Sequence, residues 1–256
     1  MVMLPDAILL GIIQGITEWL PVSSSGHLAL VQHYMGIHIP VLFDVLLHMA
    51  TLIVILTVFR SDIMNIARAV IRKDFRSEDG RLFLFILAGS APTGLIGFAF
   101  QGFFESQFAN TAAVGAGLLV TGIILIMTRF SSQGKSIGWG KSLVVGAAQG
   151  IAIMPGISRS GATIGTGLLL GIDREKIIRF SFLLSVPAVL GATLFLLNDI
   201  TCIEPVPMIA GMLASVAVGY LSLKMVIRLV LQKRFYLFAA YCWLAGGFVI
   251  IASLLQ

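Results

Sequence analysis

Apolar residues occur along the chain in long uninterrupted runs, and polar residues are gathered between the runs. A helix that crosses a hydrocarbon core of about 30 Å needs roughly 20 such residues. Six runs are long enough, so we predict six transmembrane helices. They lie at about 41–59, 83–101, 111–128, 178–198, 207–227 and 236–255.

Two further apolar stretches, at 7–20 and 143–154, are too short to cross a membrane. Each is followed by a turn rich in serine and glycine and then by a second short apolar run, at 26–36 and 161–171. Short interrupted pairs of this kind indicate re-entrant helical hairpins. Their broken backbone is tolerated at membrane depth only where protein or water covers it.

The two hairpins repeat one another. A shift of 135 residues aligns Gln14-Gly15-Ile16 with Gln149-Gly150-Ile151, and Ser23-Ser24-Ser25-Gly26 with Ser158-Arg159-Ser160-Gly161. Each hairpin is followed by three long runs, and because three is odd, the second half must be inverted relative to the first. The hairpin tips are then able to meet near the membrane midplane, as the broken helices of secondary transporters do.

Composition supports this fold class. Of the 256 residues, 58% are hydrophobic and only 11% are charged, whereas soluble domains carry about 25% charged residues. We therefore predict one all-α polytopic membrane domain over 1–256. Its two inverted-topology repeats, each a re-entrant helical hairpin plus three transmembrane helices, span about 1–130 and 136–256.

The positive charges indicate the orientation of the chain. A net charge of +5 would also suit a nucleic-acid partner, but the positive-inside rule accounts for it better, so no nucleic acid is expected. Of the 17 Lys and Arg residues, 16 lie in segments that the predicted topology puts on one side, which is therefore cytoplasmic, while the loop at 102–110 is external. The basic segments are 60–81, 129–141, 172–179 and 224–234.

The remaining basic residue, Arg159, lies inside the second hairpin. An uncompensated arginine at the bilayer centre costs about 3 to 17 kcal/mol, so an anionic partner is expected. A phosphate or diphosphate fits best, because guanidinium binds it bidentately and half-helix N-termini present unpaired N–H groups. The alternative is a structural ion pair with Glu18. The other tip residues that we predict to bind the anion are Ser23, Ser25, Ser158, Ser160 and Gly161.

The first hairpin carries different chemistry. Gln14 and Glu18 are four residues apart and share one helical face. A carboxylate, hydroxyls and an imidazole suit attack on phosphorus and proton transfer, and the carboxylate is also a ligand for a divalent metal. For each polar residue, an interhelical hydrogen bond is the alternative. The second hairpin has Ile153 and Ala162 at the positions equivalent to Glu18 and His27, so one half is predicted to be reactive and the other to hold the anion.

Asp44 and His48 form another pair four residues apart, in the outer half of the first long run. Ionisable residues within a membrane usually face the interior of the bundle. We expect them either to support the site or to pair with each other.

Two segments resemble signatures of the undecaprenyl-diphosphate phosphatases linked to bacitracin resistance. Gln14-Gly-Ile-Thr-Glu18-Trp-Leu-Pro-Val-Ser-Ser-Ser-Gly-His27 resembles the first signature. Pro155-Gly-Ile-Ser158-Arg159-Ser160-Gly161-Ala-Thr163 resembles the second. The resemblance extends over essentially the whole chain.

The resemblance implies hydrolysis of a C55 isoprenyl diphosphate to the monophosphate and inorganic phosphate, which recycles the carrier lipid of cell-wall polymers. It implies a multi-pass protein of the plasma membrane with its site facing the outside. It also implies a divalent cation, Mg²⁺ or Ca²⁺. Many members have a glutamate where this chain has Gln14, so the expected metal ligands are Glu18 and, in place of a second carboxylate, Gln14.

Catalytic roles are implied in the same way. Glu18 is the acid/base or metal-binding carboxylate, and Ser24 and His27 are the nucleophile and its partner, in either order. Arg159 is implied at the catalytic centre, and Ser158, Arg159 and Thr163 are implied to bind the diphosphate.

Other classes remain open from the sequence. The main alternative is a transporter or flippase of an anion or phosphorylated lipid, because transporters share the predicted architecture. A non-catalytic scaffold would leave Glu18, His27 and Arg159 without a purpose. The expected partners are a polyprenyl diphosphate and membrane lipids, and a homodimer is compatible with the pattern.

Overall fold

The computed structural model describes residues 2–37, 39–132, 134–196 and 204–255. Within these ranges the chain consists of α-helices joined by short turns. The helices are α1 (Leu4–Trp19), α2 (Ser24–Met35), α3 (Val41–Val58), α4 (Arg60–Ile71), α5 (Glu78–Ala99), α6 (Gln101–Phe108), α7 (Thr111–Met127), α8 (Trp139–Ile151), α9 (Arg159–Leu169), α10 (Arg174–Leu196), α11 (Pro205–Leu231) and α12 (Phe238–Leu254).

Five helices, α5, α7, α10, α11 and α12, are long and apolar enough to cross a membrane. The pair α3 and α4, bent by 79° where they meet, makes a sixth candidate. Five of the six predicted long apolar helices are therefore confirmed, with ends a few residues from the predicted ones, and the remaining one, at 41–59, corresponds to α3, which qualifies only together with α4. The last two positions predicted for the fourth span, 197–198, lie outside the described residues.

Two segments that we predicted as loops are partly helical. In 60–81, the first twelve residues form α4, and in 102–110, most residues belong to α6. The loop prediction for 60–81 was wrong because it rested on charge alone. Helix α4 combines two basic residues, Arg60 and Arg68, with exposed apolar ones such as Met64 and Ile71, which is typical of a helix lying at a membrane surface.

Both short apolar stretches form helical hairpins, α1–α2 and α8–α9. In the first, the break ends at Ser23, whose φ of 68° lies in the left-handed region. In the second, the break contains Gly156 with a φ of 89°. Only glycine fits there, because a Cβ on Gly156 would lie 2.1 Å from the carbonyl oxygen of Val114.

The two hairpins have equivalent packing partners. Helix α1 packs on α11 so closely that a Cβ on Gly11 would lie 2.2 Å from the carbonyl oxygen of Gly211. Helix α8 packs on α5 in the same way, since a Cβ on Gly146 would lie 2.0 Å from the carbonyl oxygen of Gly89. Gly11 and Gly146 are related by the shift that aligns the hairpins. Small residues at these positions let the helix backbones approach each other.

Candidate active site

The two hairpin breaks are in contact. The Ser23 hydroxyl accepts hydrogen bonds from the backbone N–H of Gly26, at 3.3 Å, and from that of Gly156, at 3.1 Å. Ser23 therefore caps α2 and also binds the break of the other hairpin. Gly161 of the second hairpin also packs closely on Pro21 of the first, since a Cβ on Gly161 would lie 3.3 Å from the side chain of Pro21. The predicted meeting of the hairpin tips is present in the structure.

The second hairpin is capped in the same manner. The Ser158 hydroxyl accepts a hydrogen bond from the backbone N–H of Gly161 at 3.1 Å. The Ser160 hydroxyl lies 3.2 Å from the Ser158 hydroxyl. The backbone N–H of Ser158 donates to the Thr121 hydroxyl at 3.0 Å, and that hydroxyl lies 3.0 Å from the carbonyl oxygen of Gly156. Thr121, on α7, was not predicted. It orients the segment predicted to bind the anion, from a helix that carries no motif.

Glu18 lies at the centre of the site and is only 7% exposed. Its Oε2 accepts hydrogen bonds from the Ser24 hydroxyl at 2.6 Å and from the Gln14 amide at 3.0 Å. The Nε2 atom of His48 lies 3.4 Å from the same oxygen. Its Oε1 pairs with Nη2 of Arg159 at 2.5 Å. Four helices, α1, α2, α3 and α9, thus bring predicted site residues to one carboxylate.

The ion pair between Arg159 and Glu18, which is the structural alternative for this arginine, is present. The arginine also has a donor that the ion pair does not use. Its guanidinium lies over the Trp19 ring, 5.2 Å from the centroid. Its Nη1 atom is buried and has no hydrogen-bond partner among the described residues. Burying a charged donor without a partner is costly, so Nη1 is a ready contact for an anionic substrate. Trp19 is held in turn by an edge-on contact with Phe182, at 5.7 Å between centroids.

His27 has partners other than Ser24. Its Nδ1 lies 2.8 Å from the Ser23 carbonyl oxygen, and its Nε2 lies 2.7 Å from the hydroxyl of Tyr241 on α12. The predicted nucleophile and partner are thus neighbours on α2, but the hydroxyl of Ser24 is bonded to Glu18 instead. Tyr241 was missed, and no local pattern indicates it, because it lies 214 residues from His27 in the chain.

The Asp44 and His48 side chains do not pair with each other. The Asp44 carboxylate accepts from the Gln32 amide, at 3.0 Å to each oxygen. His48 directs Nε2 at Glu18, and its Nδ1 lies 2.8 Å from the backbone oxygen of Asp44. His48 therefore extends the polar cluster, whereas Asp44 lies beyond it.

Thr163 and Ser25 lie at the margins. The Thr163 hydroxyl is fully buried, donates to the backbone oxygen of Arg159 at 2.8 Å and lies 2.6 Å from the Ser181 hydroxyl. It supports the helical turn that carries Arg159. The Ser25 hydroxyl is half-buried and lies 3.4 Å from that of Ser23.

A divalent cation would find oxygen ligands at this centre. Glu18 is a carboxylate, and the Oε1 atom of Gln14 is buried and without a partner in the described part of the chain. No group of three or more His, Cys, Asp and Glu side chains is placed to hold a metal among the described residues. Because Mg²⁺ is commonly held by one or two carboxylates plus substrate phosphates, the residues fit a cation whose coordination the substrate completes.

The fold and this site define a polytopic membrane protein with a buried polar centre suited to a phosphorylated substrate. The chain matches the model of the family described as bacitracin resistance protein BacA over residues 7–248. It belongs to that family, and the resemblance noted in the hairpin motifs is confirmed.

Individual relatives match over almost their full length. The chain is 45% identical to the undecaprenyl-diphosphatase of Desulfosudis oleivorans, over 94% of this chain and 96% of that protein. It is 40% identical to the undecaprenyl-diphosphatase of Methanosphaera stadtmanae, over 97% of each chain. It is 39% identical to that of Carboxydothermus hydrogenoformans, over 96% of each.

Proposed function

We propose that this protein is a membrane phosphatase that hydrolyses undecaprenyl diphosphate to undecaprenyl phosphate and inorganic phosphate, which recycles the carrier lipid of cell-wall polymers. The observation that carries the proposal is the Glu18 centre, where a serine hydroxyl and an arginine meet one buried carboxylate. The relatives that match the whole chain are named for this activity.

Arg159 binds the terminal phosphate in this proposal. Its free Nη1 and its planar guanidinium suit two phosphate oxygens. The bound phosphate contacts Nη1, while Nη2 keeps its ion pair with Glu18. The capped N-termini of α2 and α9 add positive electrostatic potential at the same place.

Ser24 is the nucleophile that the geometry favours, because its hydroxyl donates to Glu18 at 2.6 Å. Ser24 Oγ forms a bond to the terminal phosphorus and its proton passes to Glu18, while the bond to the bridging oxygen breaks and the prenyl monophosphate leaves. A water molecule then attacks the phosphoserine. The bond between phosphorus and Ser24 Oγ breaks as Glu18 returns its proton to that oxygen, and inorganic phosphate leaves with both hydrogens of the water.

The proposal includes dependence on Mg²⁺ or Ca²⁺. Glu18 and Gln14 would hold the ion, which would neutralise charge on the diphosphate when bound. Arg159 orients the phosphate, and Ser24 and Glu18 are already in hydrogen-bond contact.

Hydrolysis by the purified protein is the decisive test. We expect wild-type protein in detergent to release phosphate from a polyprenyl diphosphate in the presence of a divalent cation, which a pure transporter cannot do. Glu18→Gln should lose nearly all kcat, whereas Glu105→Gln, at an exposed carboxylate on α6, should be unaffected. No phosphate release by the wild type would sink the proposed activity. Substantial activity of Glu18→Gln would refute the role of Glu18 alone.

The site is proposed to open to the outside of the plasma membrane. The reactive side chains belong to the first hairpin, and His48 and Asp44 continue a polar path along α3. The second hairpin has Ile153 and Ala162 at the equivalent positions. Sealed right-side-out vesicles should release phosphate to the exterior from substrate confined to the outer leaflet. Release only into the lumen would contradict this orientation.

The two halves are proposed to be inverted repeats with re-entrant hairpins. The support is the equivalent packing of α1 on α11 and α8 on α5, together with the matched serine caps of α2 and α9. A homodimer stays a prediction, and the mass of the protein in its detergent complex would test it.

A further inference from the structure

Tyr241 and His27 are in direct contact, although they belong to opposite halves of the chain. The Tyr241 hydroxyl is 2.7 Å from Nε2 of His27, and the two rings are stacked with centroids 5.8 Å apart and planes 15° apart. Helix α12, which carries Tyr241, packs on α7, so the tyrosine reaches the first hairpin from the end of the second half.

Chemistry fixes the direction of both hydrogen bonds when the imidazole is neutral. The Ser23 carbonyl oxygen can only accept, so the nitrogen 2.8 Å away, Nδ1 of His27, must carry a hydrogen. The other nitrogen, Nε2, then has a lone pair and accepts the hydroxyl hydrogen of Tyr241. The basic nitrogen of His27 is therefore Nε2, and the Tyr241 hydroxyl donates to it.

The exposure of Tyr241 argues against a purely structural purpose. Its side chain is 47% exposed, so loss of the hydroxyl would leave no deeply buried polar group without a partner. Its ring is already packed on His27 without the hydroxyl. The hydroxyl thus adds little buried surface to the fold. It contacts Nε2, the atom of His27 that can take up a proton.

We infer that Tyr241 is a positioning residue, whose hydroxyl holds Nε2 of His27 in a fixed direction by a hydrogen bond. This inference rests on the proposed phosphatase function. It assigns separate roles to Ser24 and His27, which both lie on α2. Ser24 is left to Glu18, and His27 is oriented as a second proton acceptor at the edge of the site. The fixed ring orientation matters because proton transfer requires hydrogen-bond geometry.

The test uses Tyr241→Phe, which keeps the stacked ring and removes only the hydroxyl. Tyr220→Phe is the matched control, since Tyr220 lies on α11 and contacts Lys224 rather than the site. Full-length protein in detergent, with ¹⁵N in its histidine rings, reports the state of Nε2 by NMR, and His27→Gln identifies the His27 signals. Steady-state phosphate release from a polyprenyl diphosphate gives kcat and KM for the same samples.

We expect the Nε2 signal of His27 to move in Tyr241→Phe and not in Tyr220→Phe, with kcat about tenfold lower in the former and KM little changed. An Nε2 signal unaffected by Tyr241→Phe would overturn the inference whatever the activity. A moved signal with unchanged kcat would overturn the positioning role. If the wild type releases no phosphate, the proposed function fails and this role with it, while the NMR signals still decide whether the contact exists.

Discussion

Arg159 and Glu18 compensate each other's charge at the buried centre. Removing a lone charge from water is expensive, and a partner repays part of that cost. The pair explains why one basic residue lies away from the basic segments. It also leaves Nη1 of Arg159 without a partner among the described residues, so the arginine can keep Glu18 and still contact a phosphate.

Substitutions of Arg159 distinguish the effect of its positive charge from the effect of its planar guanidinium. Lysine keeps the charge but loses the planar pair of donors, so Arg159→Lys should lower kcat/KM by about 10² to 10³-fold, as the loss of one oriented donor does elsewhere. Arg159→Ala should lose more, because Glu18 is then also left without its cation. Phosphate release by purified variants measures both effects.

The control for this prediction is Arg68→Lys, at an exposed position where the arginine contacts only Asn65. It should behave as wild type. All variants should elute from size-exclusion chromatography as folded protein. Hydrolysis by Arg159→Lys at the wild-type rate would mean that charge alone suffices and that bidentate binding is unnecessary.

The two hairpins use equivalent serine caps, but only one cap joins the hairpins. Ser158 bonds to its own helix through Gly161, whereas Ser23 bonds both to its own helix and to the N–H of Gly156. Ser158→Ala should therefore destabilise the protein by about 1 kcal/mol, the usual value for a cap. Ser23→Ala should cost about 1 to 3 kcal/mol more, because a buried N–H loses its partner.

Denaturant or thermal unfolding in detergent, followed by circular dichroism, measures this difference. The comparison is independent of activity, although both serines are also predicted to bind the diphosphate. Equal destabilisation by the two substitutions would mean that the hydrogen bond between the hairpins contributes nothing.

Helix contacts through glycine give a second prediction for the hairpins. A Cβ on Gly146 would collide with the backbone of Gly89, and neither backbone can move without separating α8 from α5. Gly146→Ala should therefore destabilise by about 1 to 3 kcal/mol. Gly140, on the same helix, has open space around it, so Gly140→Ala should stabilise slightly through helix propensity. A lower melting temperature for Gly140→Ala than for Gly146→Ala would contradict the close packing.

The whole molecule is proposed to place the basic segments in the cytoplasm. Single cysteines at Glu78, within the basic segment 60–81, and at Ser106, on α6, should react with a membrane-impermeant thiol reagent from opposite sides of the membrane. The reason is that α5 joins the two positions and is long enough to cross. Both residues are exposed, so neither substitution disturbs packing.

The background for this experiment replaces Cys202 and Cys242 with alanine. Labelling in intact cells should reach only the cysteine at 106, and permeabilised cells should label both. Reaction of both cysteines in intact cells would disprove the inverted topology, and with it the orientation proposed for the site.

The sequence by itself determined the long helical runs and the two helical hairpins. These features are local, because apolar length, proline and serine breaks, and charge clusters act through neighbouring residues and the surrounding solvent. Glu18, Ser24, Arg159 and the serine caps were found in the same way, since each lies in a short segment. Helices α4 and α6 were overlooked, because the segments between the long apolar runs were predicted as loops.

Only the tertiary structure decided which of these groups touch. It paired Ser24 with Glu18 rather than with His27, brought His48 to the same carboxylate, and added Tyr241 and Thr121. Such pairs depend on how helices distant in the chain pack together. That packing follows from backbone approach at glycines and side-chain shape across the whole bundle, and no local pattern of residues contains it.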